Sequence, residues 1–171
     1  MKVHQGIRPQ DIVILLKMIS LKNENWLMKD LARALMISQS EVSESLNRSQ
    51  VAGFVSRNKK RVNKEAVVEF ISHGLKYTFP EEPGKIIRGF PTGQSAAPLY
   101  HVFNTAESYV WPHPKGSRRG HYIRPLHKNI PDACMKDDRL YELIALSDVI
   151  RAGDQQEKKK AIFEIRKRIL N

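Results

Sequence analysis

The sequence predicts a mostly helical α+β fold with three segments: a helical unit over 1–79, a Pro/Gly-rich loop and short-strand region over 80–131, and a C-terminal helical hairpin over 132–171. Three observations predict it. Apolar residues recur at helical spacing at both ends of the chain. Eight of the nine prolines lie between Pro80 and Pro131, which excludes long helices from the middle. Paired capping residues, Ser38 with Glu41 and Asp154 with Glu157, stand where helices would open.

The first helix is expected to start at Pro9, because proline suits the first helical position, and Ile12, Leu15, Leu16 and Ile19 follow on one face. Leu27, Leu31, Ala32 and Leu35 predict a short second helix, and Met36-Ile37 a turn. Ser38 caps a third helix whose Val42 and Leu46 face inward, with Gly53 just past its end in the left-handed conformation. Phe54 and Val55 read as a strand, Arg57 to Arg61 as a basic turn, and Val62 as the return. Asn63 caps a fourth helix carrying Val67, Phe70 and Ile71, which Gly74 stops. The alternation of Leu75, Tyr77 and Phe79 with Lys76 and Thr78 predicts a strand. At the other end, Asp137 or Asp138 precedes a helix with Leu140, Leu143, Ile144 and Ile150. A last helix places Ile162, Ile165 and Ile169 on one face, opposite Lys158, Lys159, Arg166 and Lys167.

Charge limits the class of partner. The 171 residues carry 29 Lys and Arg against 18 Asp and Glu, a formal charge of +11, so a polyanion is the expected partner, either nucleic acid or an anionic membrane surface. Residues 1–80 hold 13 basic and 7 acidic side chains and residues 81–171 hold 16 and 11, so both parts share the excess. The one cysteine, Cys134, excludes an internal disulfide and fits a reducing cytoplasm. Met1 to Arg8 lacks the apolar run of a signal peptide. No stretch approaches the roughly 18 apolar residues of a membrane span, and a cytoplasmic protein without membrane contact is expected.

The stretch from Leu31 to Val55 meets several independent requirements at once. Ala32 supplies the small residue that two crossing helices need, Met36-Ile37 the tight turn, and Ser38 the cap. With Leu35, Ile37, Val42 and Leu46 facing inward, Gln39, Ser40, Ser43, Glu44, Asn47 and Arg48 are expected on the outside. Their short or hydrogen-bonding side chains suit base edges and phosphates in a major groove. Arg57, Lys59, Lys60 and Arg61 suit the phosphate backbone. These ten residues are the expected DNA-binding set.

On Leu31, Ala32, Leu35, Ile37, Ser38, Val42, Ser43, Leu46, Gly53, Phe54 and Val55, the sequence resembles the winged helix-turn-helix superfamily, most nearly the MarR-like bacterial transcriptional regulators, over about residues 7–80. The resemblance implies a homodimer that inserts the helix beginning at Ser38 into successive major grooves of double-stranded DNA. Leu27 and Met28 depart from the Ser or Thr cap common before the second helix, and the wing is short. A protein-contact use of the same fold is the alternative, as a DNA-contacting or interaction subunit of a phage-defence, mobile-element or toxin-antitoxin system.

The middle region is similar in its Gly-Phe-Pro-Thr and Ala-Pro-Leu phrasing to uncharacterised bacterial regulators. The region reads as a ligand-sensing loop segment, as a second nucleic-acid contact with Arg118, Arg119 and Arg124 beside Tyr109, Trp111 and Tyr122, or as packing of Tyr109, Trp111 and Leu126 against the N-terminal unit. His101, His113, His121, His127 and Cys134 lack metal-ligand spacing, and no GxSxG, P-loop or GxGxxG occurs. No catalytic residue, metal or cofactor is therefore expected. The C-terminal hairpin is the expected dimer contact.

Overall fold

The computed structural model describes residues 6–171; of the opening stretch Met1 to Arg8, the first five lie outside them. Helix α1 (Pro9–Leu21) begins at Pro9, and the Asp11 carboxylate accepts from the Arg8 backbone N–H at 2.8 Å, closing its first turn. Every residue from Asp11 to Ser20 is buried, so α1 is a core helix on all sides. Helix α2 (Met28–Leu35) lacks a hydroxyl cap, and Asp30 replaces it by reaching back to the Leu27 N–H at 2.9 Å. Met36 then turns left-handed at φ 54°, and α3 (Gln39–Val51) follows. Its capping box forms as expected: Ser38 Oγ accepts from the Glu41 N–H at 3.2 Å, and Glu41 accepts from the Ser38 N–H at 3.4 Å.

Gly53 adopts φ 82°, as its place past α3 requires. Val55 and Val62 form a single antiparallel bridge around the basic turn, and Asn63 caps α4 (Lys64–His73). One local expectation fails directly after it. Residues Leu75–Thr78 form helix α5 rather than a strand. Gly74 stays right-handed at φ −109°, so the chain keeps turning, and the N–H groups of Thr78 and Phe79 bond the carbonyls of Gly74 and Leu75. Alternation there reflects a helix with Leu75 buried against α7 and Tyr77 outside.

The middle region holds three strands, β1 (Ile86–Thr92), β2 (Tyr109–Pro112) and β3 (Arg118–Tyr122), each hydrogen-bonded to both others so that the sheet closes on itself. β1 runs antiparallel to both, pairing Phe90 with Trp111 and Arg88 with Arg119, while β2 and β3 are parallel. Closure at this size leaves little room inside. A Cβ at Gly89 would stand 2.1 Å from the Trp111 carbonyl oxygen, so glycine is required there.

Helix α6 (Ile130–Cys134) leads into α7 (Asp138–Ala152), capped by Asp137, and α8 (Gln155–Leu170), capped by Asp154 with Glu157. The last two pack on each other, with Ile165 and Ile169 buried. α7 is buried continuously from Leu143 to Arg151 and touches α1, α4, α5 and the turn after β1. One hydrophobic cluster consequently runs from Ile12 to Ile169. Trp111 packs against α7: its indole N–H donates to Asp148 at 2.8 Å and its ring lies 6.1 Å from Tyr141. Among the described residues, no helix is long and apolar enough to cross a membrane.

Candidate nucleic-acid interface

The α2–turn–α3 unit is held from three sides. Underneath, Leu31, Leu35, Val42 and Leu46 are at most 1% exposed. Burial of such side chains contributes about 1.5–3 kcal/mol each, which fixes the underside of the unit. From the side, Asn129 Nδ2 donates to the Met36 carbonyl at 2.7 Å, which satisfies a group that the left-handed turn leaves open. The third attachment is an ion pair. Arg48 Nε and Nη2 donate to the two carboxylate oxygens of Asp11 at 2.9 and 2.7 Å, with the carboxylate fully buried.

That ion pair corrects the expected set. Arg48 does not project from the outer face of α3; it is buried beneath it and ties α3 to α1. The cause is local: one step beyond Asn47, the side chain falls on the same side as Ser45 and Ser49, toward α1, where Asp11 waits. The two-pronged bond with Asp11 outweighs burial and holds the guanidinium pKa above its ordinary value. Asp11 escaped the sequence reading because a carboxylate in a first helical turn normally has only a capping role.

The rest of α3 presents an open row. Gln39, Ser40, Glu44 and Asn47 are exposed and Ser43 is half-buried. Beside them the basic turn is rigidly built: Ser56 N–H donates to the Arg61 carbonyl at 2.9 Å, Ser56 Oγ to Asn58 Oδ1 at 2.6 Å, and Lys60 N–H to the same oxygen at 3.1 Å. Lys59, left-handed at φ 59°, hydrogen-bonds through its ammonium to Asn47 Oδ1 and so joins turn to helix. Lys60 is committed elsewhere, donating to the Trp26 carbonyl at 2.6 Å with its ammonium 4.2 Å from the centre of that indole ring. Arg61 pairs with Glu24 at 2.8 Å, with both groups exposed, while the Arg57 side chain is exposed. Two exposed cations on α2, Lys29 and Arg33, were not marked by the sequence pattern, which singled out the second helix of the pair.

Of the aromatics expected beside the middle arginines, Tyr122 is half-buried and the other two lie inside, while Tyr100, which the sequence pattern did not mark, is 51% exposed. Tyr109 and Trp111 are buried, and Arg118 donates to the Tyr100 hydroxyl at 2.5 Å and lies 5.3 Å from its ring. Arg119 is exposed directly across from Arg88, and Arg124 is exposed as well. His113 pairs with Asp132 at 3.1 Å, and the buried Cys134 thiol has its pKa pushed up by desolvation. The chain matches no protein-family model, no curated protein and no solved structure.

Proposed function

We propose that this protein binds double-stranded DNA sequence-specifically as a transcriptional regulator, through a winged helix-turn-helix in which α3 enters the major groove. The observation that carries the reading is the row Gln39, Ser40, Ser43 and Asn47 on a capped helix whose underside is fixed, joined by Lys59 to a preformed basic turn. Amide and hydroxyl groups on such a row can read base edges, while Arg57, Lys59 and Arg61 supply backbone attraction. Glu44 repels phosphate and limits α3 to the groove interior, where a carboxylate can accept from cytosine. The net charge of +11 favours a polyanion throughout.

Action as a homodimer belongs to the same proposal. The apolar faces of α7 and α8 are largely consumed within the chain, which leaves Phe163, 65% exposed, as the apolar contact that α8 offers to a second copy. Selection of bound fragments from a random duplex library, followed by gel shifts, tests the proposal. A two-fold-related site bound by the wild type and no longer discriminated by Asn47→Ala or Gln39→Ala is the expected result. Arg57→Ala or Lys59→Ala should weaken all duplexes alike and flatten the salt dependence. Absence of any enriched sequence, with duplex affinity indifferent to all four replacements, would overturn it.

A further inference from the structure

Beside the basic turn, a cleft of about 250 Å³ opens between the end of α1 and the start of α4. Its apolar lining is Met18, Ile19 and Val62. Around them stand four cationic side chains, Lys22, Lys60, Arg61 and Lys64, against one carboxylate, Glu24, which Arg61 already holds. Lys60 is occupied by Trp26. The ammonium groups of Lys22 and Lys64 have no hydrogen-bond or ion-pair partner among the described residues, and both residues are exposed. Lys64 is also the first residue of α4, so the positive end of that helix faces the same region. Like charges gathered around a concave, partly apolar surface attract an anion of matching size.

We infer that this cleft binds a small phosphate-bearing molecule. A phosphate monoester is close to doubly charged at neutral pH, with three acceptor oxygens for two or more ammonium groups, and a cavity of this volume also holds a compact carbon skeleton against Met18, Ile19 and Val62. The binding event stands apart from the DNA reading; only its consequence rests on it. Arg61 and Lys60 anchor the basic turn to Glu24 and Trp26, so an anion that draws them inward shifts the turn that Lys59 joins to α3.

The test is isothermal titration of the full chain with glycerol 3-phosphate and with inorganic phosphate, in the wild type, in Lys22→Gln/Lys64→Gln, and in Lys159→Gln/Lys167→Gln as a charge-matched control outside the cleft. Saturable one-to-one binding of glycerol 3-phosphate is expected, weakened at least about tenfold in the cleft variant and unchanged in the control. No saturable binding, or equal weakening in both variants, overturns the inference. Loss of duplex affinity in the cleft variant, with no monoester binding by the wild type, overturns it as well and assigns these lysines to the DNA backbone. Monoester binding by a protein that binds no duplex leaves the cleft standing and removes the DNA proposal instead.

Discussion

Removal of the Arg48 guanidinium isolates the difference between a residue that reads DNA and one that holds the reader in place. In Arg48→Ala the Asp11 carboxylate, 0% exposed, loses two charge-assisted hydrogen bonds and keeps the one from the Arg8 N–H. Stranding a buried charge in this way costs about 3–5 kcal/mol, and at such burial little of that is recovered by solvent. For a chain of this size, each kcal/mol moves the midpoint by about 2–4 °C, so Tm should fall by roughly 6–20 °C. Arg48→Lys keeps the charge but not the planar fork and should lie between. Pairing Arg48→Met with Asp11→Leu removes both charges and should recover most of the loss, short of about 1 kcal/mol for the missing cap on α1. Differential scanning calorimetry reads all four proteins. Below the lowered midpoint, Arg48→Ala should select the same duplex sequences as the wild type. A Tm within 2 °C of wild type, or an altered base preference at unchanged stability, would refute the assignment of Arg48 to the core.

Three other regions give equally direct outcomes. Gly89→Ala places a methyl carbon 2.1 Å from the Trp111 carbonyl oxygen; the unfolding free energy from urea titration should drop by about 2–3 kcal/mol, and an unchanged value would contradict the closed sheet. Burial holds the His127 pKa below its ordinary value, and its Nδ1 accepts the Asn129 N–H, a bond that the protonated ring cannot make. The unfolded chain therefore takes up this proton first: the contribution to stability is full above about pH 6.5 and declines as pH falls through the folded value. Denaturation at pH 7.5 and 5.5 should show a smaller difference in His127→Gln, and an identical difference would remove His127 as a cause. Gel shifts of Gln39→Ala and Arg57→Ala divide base preference from general affinity; the same change in both would dissolve that division.

Much of the local architecture was legible because its causes are local. Pro9 by its fixed φ, Gly53 by its positive φ, and Ser38 with Glu41, Asn63 and Asp154 by hydrogen bonds that span three residues mark helix ends, and of the pair Asp137 or Asp138 the first proves to be the cap. Tertiary packing settled what depends on distant partners. Arg48 finds Asp11 across 37 positions, Trp111 finds Asp148 across another 37, and Asn129 reaches Met36 across 93. An arginine next to Asn47 looks like surface until a buried carboxylate on another helix requires it, since that carboxylate without a partner is costly and the two-pronged bond offsets the desolvation of both charges. The helical spacing of α1 and α7 likewise says that one face is buried, whereas helices packed around them bury the others. Lys22 and Lys64 are 42 residues apart in sequence, and only the fold makes them two walls of one cleft.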